Sequence, residues 1–65
     1  MIMEAKFIKS PNKGESMWKV FDLDKLVLCM TVNEIISGTD FGYDDVVTIE
    51  FGKWLIKEVR DYHDV

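Results

Sequence analysis

TIEFGKWLIKEVRDY, Thr48 to Tyr62, is the one stretch of this chain long and periodic enough to define an element by itself. At 100° per residue, with Val47 as origin, Phe51, Trp54, Leu55, Val59 and Tyr62 fall within a stripe of roughly 140°, while Lys53, Lys57, Arg60 and Asp61 lie mostly outside it. That is the pattern of an amphipathic helix with one face for a core. Thr48 suits the N-cap, Glu50 complements the positive end of the dipole, and Lys57, Arg60 and His63 lie toward the negative end. Two features oppose the helix: Gly52 costs about 1 kcal/mol relative to alanine in a helix interior, and the preceding VVTI is β-branched. The rival reading makes Val46 to Phe51 a strand with Val47, Ile49 and Phe51 facing inward.

Outward from the helix, the rest of the chain reads as its cover. Residues 2–8, IMEAKFI, alternate loosely, with Met3, Ala5 and Phe7 on one face and Ile2, Glu4, Lys6 and Ile8 on the other. KSPNKGES, residues 9–16, contains the only proline together with Asn12 and Gly14, and reads as a turn. In MWKVFDL, residues 17–23, Trp18 and Val20 share one face and Met17, Lys19, Phe21 and Leu23 the other. Asp22 to Lys25 makes a tight connection, and LVLCMTV, residues 26–32, has the length of a buried strand. A helix from Asp24 to Ser37 with Gly38 at its C-terminal end competes for that last segment, against weak helix formers. NEIISGTDFGYDD, residues 33–45, holds two glycines and many turn formers and is expected to be largely loop. The resulting fold class is α+β: a single domain, residues 1–65, with a small three-stranded antiparallel β-meander packed on one C-terminal amphipathic helix. A five-stranded small β-barrel is the alternative.

Size and composition constrain function more than any motif does. A chain of 65 residues that is 48% hydrophobic cannot bury all of its apolar side chains, so some are expected on a surface that another molecule or a second copy covers. Net charge is −4, and it is unevenly distributed: residues 1–32 carry five lysines against four acids, whereas residues 33–65 carry three basic residues against eight acids. Acidity in the second half argues against general nucleic-acid binding, which needs basic surface, and favours a basic partner surface. A single cysteine, Cys29, excludes an internal disulfide framework and is expected as a small buried hydrophobe in LVLCM. The opening MIMEAKFIK is charged from residue 4 and lacks a signal-peptide core, and no run approaches the ~20 apolar residues of a membrane span. The expectation is a soluble protein of the cytoplasm, or of a host cytoplasm if phage-borne, with no membrane partner.

No constellation reads as catalytic. With Asp40 as position 1 of a calcium loop, Asp45 stands where the glycine belongs and Phe51 where the bidentate glutamate belongs, so no metal site is expected. His63 is expected as a solvated histidine near a helix end, the serines sit in no nucleophile turn, and no cofactor is implied. Glu34, Asp40, Phe41, Tyr43, Asp44 and Asp45 instead combine acids with aromatics in one surface-like segment. Aromatics anchor interfaces and acids steer toward basic surfaces, so these six are the candidate partner-binding residues. The leading expectation is a non-enzymatic protein-protein interaction module, an acidic stoichiometric inhibitor or accessory factor docking on a basic, nucleic-acid-binding surface, as a homodimer or hetero-complex. Two alternatives remain: a single-stranded nucleic-acid-binding domain using Lys6, Lys9, Lys13 and Lys19 beside Phe7, Trp18 and Phe21, and a homo-oligomeric structural subunit.

Overall fold

A computed structural model describes residues 2–63. Strands β1 (Met3–Ile8), β2 (Met17–Asp22) and β3 (Lys25–Thr31) are followed by helices α1 (Val32–Gly38), α2 (Tyr43–Val46) and α3 (Ile49–His63). The expected antiparallel meander forms in the order β1-β2-β3, and it is an open sheet, not a closed barrel. One face of the sheet meets α3. Cross-strand pairs Ala5↔Val20 and Phe7↔Trp18 on β1 and β2, and Trp18↔Met30 and Val20↔Leu28 on β2 and β3, point to that inner face. The core closes around Trp18, Val20, Val32, Ile35, Val46, Phe51, Leu55 and Val59.

Trp18 decides how the helix sits. Its indole lies against Gly52, where an added Cβ would come within 2.8 Å of two ring carbons. The glycine that weakens the helix is therefore required by the ring that packs on it. The indole N–H also donates to the Val46 carbonyl at 2.6 Å, across 28 residues of chain, and so satisfies a buried acceptor at the end of α2. Thr48 caps α3 as expected, accepting from the Phe51 N–H at 3.1 Å. The β-branched VVTI ends as a helix entry rather than a strand, because the sheet pairing already ends at β3 and this cap starts a helix.

Two expectations need correction, the loop over residues 33–45 and the burial of Cys29. Residues 33–45 are not largely loop: they hold most of α1 and the first three residues of α2. The signal was a capping box, in which Thr31 Oγ1 accepts from the Glu34 N–H at 3.2 Å and Glu34 Oε1 accepts from the Thr31 N–H at 3.1 Å. The strand expected over residues 26–32 forms as β3, and of the competing helix over 24–37 only the part after that cap exists, as α1. Cys29 is exposed rather than buried. An irregularity in the β2–β3 ladder skips Val27, so Val27, Leu28 and Met30 pack inward while Cys29, opposite Lys19, faces out. Leu23, in the two-residue β2–β3 connection, has φ 55°, a left-handed conformation that costs a leucine roughly 1–2 kcal/mol. His63 closes α3, but its side chain and Asp64 lie outside the described residues, and with them the expected solvated histidine.

An acid-rimmed apolar groove as the candidate functional site

The helical wheel of α3 divides into four strips. Phe51, Leu55 and Val59 point into the core, Gly52 and half-buried Ile56 lie toward β1, and Lys53, Lys57 and Arg60 face solvent. The fourth strip, Trp54, Glu58, Asp61 and Tyr62, looks onto a groove of about 780 Å³. Its floor is the inner face of β3, Val27, Leu28 and Met30, and its far wall is α1, with Glu34, Ile35 and Gly38. Within the sequence-level stripe, Trp54 is 37% and Tyr62 79% exposed: they belong to the groove edge rather than to the core.

The groove exists because one helix cannot roof three strands. Strands lie ~4.8 Å apart and a helix with its side chains is ~10 Å across, so α3, packed on β1 and β2, does not fully cover β3, whose half-buried Val27, Leu28 and Met30 line the groove. An aromatic chain runs from the covered half toward the opening. Phe7 meets Trp18 at 5.2 Å between centroids, Trp18 meets Phe51 at 6.1 Å, and Phe51, Phe41 and Trp54 contact one another at 5.2–5.3 Å. Tilted and edge-on contacts of this kind hold Trp54 in place without burying it.

The charged residues lining the groove are all acids: Glu34, Glu58 and Asp61. The Glu34 carboxyl is held below the usual glutamate range, first by the Thr31 backbone N–H and then by the Thr31 hydroxyl. The capping box thus places a fixed negative charge on the far wall. Among the described residues no group of three or more His, Cys, Asp or Glu side chains is arranged to hold a metal ion.

The six residues singled out from the sequence do not form one patch. Glu34 stands on the groove wall. Phe41 folds back, half-buried, against Phe51 and Trp54, so it shapes the groove from behind. Tyr43 is half-buried at the start of α2, with Lys13 Nζ 5.6 Å from its ring centroid. Asp40, Asp44 and Asp45 are exposed, and the Asp45 carboxylate accepts from the Gly42 N–H at 3.4 Å, which partly commits it to α2. Glu58, Asp61, Trp54 and the β3 floor escaped the sequence reading, because their joint position depends on how far α3 reaches across the sheet. Trp54 and Tyr62 at the edge of the helical stripe were the available signal.

The lysine and aromatic face is also divided. Phe7 and Trp18 are on the inner side, leaving Phe21 alone with Lys6 and Lys19 on the outer one, where Lys6 Nζ sits 5.4 Å from the Phe21 centroid. Lys6 and Lys19 face each other directly across β1 and β2. Comparison with family models, with curated proteins and with solved structures finds no match.

Proposed function

We propose that this protein is a non-enzymatic interaction module that binds a basic surface of a partner protein, acting by stoichiometric contact as an inhibitor or accessory factor. The observation that supports this is the groove between β3, α1 and α3, apolar at its floor and lined by Glu34, Glu58 and Asp61 with no lysine or arginine. Apolar contact supplies affinity and the carboxylates select a cationic partner and speed its approach. Carboxylates presented where phosphates would sit make a nucleic-acid-handling protein the natural class of target. Asp40, Asp44 and Asp45 extend the negative field on the same half of the chain.

The test is recovery of a partner from host lysate by the natural chain and by two variants, Glu58→Lys with Asp61→Lys, and Asp40, Asp44 and Asp45 all changed to Asn. Stoichiometric capture of one basic protein, lost with the first variant, supports the groove. Loss with the second alone moves the contact to the loop before α2. Equal recovery by all three chains overturns the acidic docking reading.

A second reading rests on the outer sheet face, where Ile8 and Leu26 are exposed and Met17 and Phe21 half-buried, with no helix or strand of the described residues packed on them. A self-associating protein would cover this face with a second copy. Light scattering that finds a strict monomer at high concentration removes that reading. Nucleic-acid binding through Trp18 has no support, since Trp18 is in the core.

A further inference from the structure

The geometry points to the occupant of the groove: a cationic amphipathic α-helix of the partner, laid over β3 beside α3 as the missing second helix of the helical layer. This rests on the reading of the groove as the docking surface, and it specifies what docks there.

Three observations carry it. The first is the layer itself. With α3 over β1 and β2, the next position in the layer is ~10 Å along, above β3, and there Val27, Leu28 and Met30 form an apolar floor without a roof. The second is the state of the β3 edge. An extended peptide adding to β3 as a fourth strand would need a regular ladder, but the irregularity at Val27 and the immediate passage of Thr31 into α1 interrupt it. The irregularity turns Val27 inward next to Leu28, enlarging the floor that a helix would cover. The third is charge. Glu34 on one wall and Glu58 and Asp61 on the other flank the floor on both sides, matching a helix whose apolar stripe is bordered by lysines or arginines.

A second copy of the chain does not meet these requirements. Groove against groove would bring two rims of Glu34, Glu58 and Asp61 together with no basic residue in either lining. The solvent strip of α3, Lys53, Lys57 and Arg60, has one exposed apolar neighbour, Ile49 at its N-terminal end, while half-buried Ile56 lies toward β1, so it lacks the continuous apolar stripe that would fill the floor.

The probe is a peptide of two Leu-Lys-Lys-Leu-Leu-Lys-Leu repeats, titrated into the full chain at low salt and followed by backbone and indole NMR shifts. Its controls are the same composition with proline breaking the helix, the same composition in alternating Leu-Lys order that favours a strand, and a peptide with glutamate in place of lysine. Saturable shifts at Val27, Met30 and Trp54 with Trp18 nearly still, from the helical peptide alone, support the inference. In the Glu58→Lys, Asp61→Lys variant, with folding checked by circular dichroism, affinity should fall about tenfold, with much of the natural chain's affinity lost at high salt.

If the alternating peptide binds the groove better and protects β3 amides from exchange, the helix is overturned while the basic-partner reading stands. Binding of the glutamate peptide as tightly as the lysine peptide overturns the charge match. If no peptide moves groove resonances, the helical occupant is overturned. The wider reading then falls only if partner recovery is also insensitive to Glu58→Lys with Asp61→Lys.

Discussion

The two halves of the inner sheet face have similar composition and different fates. Over β1 and β2, Trp18 and Val20 are buried, with half-buried Ala5 and Phe7 beside them along α3; over β3, Val27, Leu28 and Met30 are all only half-buried and line the groove. Both floors are apolar, so hydrophobicity alone does not separate core from groove. The difference lies in the roof, because α3 is one helix wide and Trp18 fixes it over the first two strands by its fit to Gly52 and its bond to Val46. A side chain in the closed half should therefore matter for stability, and a charge in the open half for binding.

Trp18→Ala is the harshest test of the closed half. Removing a buried tryptophan costs about 3–5 kcal/mol, and a domain of this size rarely has more than that to lose. The variant should lack a cooperative urea transition by circular dichroism; a normal transition would show that the indole does not anchor α3. Gly52→Ala tests the same contact from the helix side. By propensity alone it should stabilise by about 1 kcal/mol, but forcing the indole aside should destabilise by about 1–3 kcal/mol. The sign of the change in denaturation midpoint decides between local propensity and packing.

The open half should respond differently. Thr31→Ala removes the side-chain cap of α1, the far wall of the groove, and should cost about 1 kcal/mol in urea unfolding. Glu58→Gln with Asp61→Asn should change stability by no more than about 0.5 kcal/mol, since both side chains are exposed, while weakening capture of a cationic partner. A large loss of stability there would make the rim structural. Glu34 adds the smallest effect and a sign. Its folded pKa is lowered, so its contribution is complete above the ordinary glutamate value and is lost as pH falls through the lowered folded value. A pH series of unfolding midpoints should show a slight acid-side decline that Glu34→Gln removes.

Much of this architecture was legible in the residues. Alternation in MEAKF and MWKVF puts Ala5 with Phe7 and Trp18 with Val20 on common faces, though not which face is inner, and the 3.6-residue spacing of Phe51, Leu55 and Val59 marks the helix and its apolar stripe. Thr48 marks its start. The segment 33–45 was misread because its glycines and aspartates are turn formers in isolation, whereas the Thr31–Glu34 capping box and the burial of Val32 and Ile35 outweigh them. Cys29 was misplaced because a one-residue irregularity at Val27 reverses the alternation beyond it. Of the candidate binding residues, Glu34 reached the groove and Phe41 supports it from behind, while Asp40, Tyr43, Asp44 and Asp45 stand apart from its lining.

Periodicity, charge asymmetry and the existence of more apolar surface than 65 residues can bury are written in the order of the residues. Those properties depend on neighbours within a few residues, and a linear reading can see them. Where the surplus lies emerges on folding, because it depends on the lateral position of α3 across the sheet. A glycine in the helix and a tryptophan 34 positions earlier in the chain set that position together, through a van der Waals fit that neither residue displays alone. The groove over β3, with Glu34, Glu58 and Asp61 around it, is the consequence.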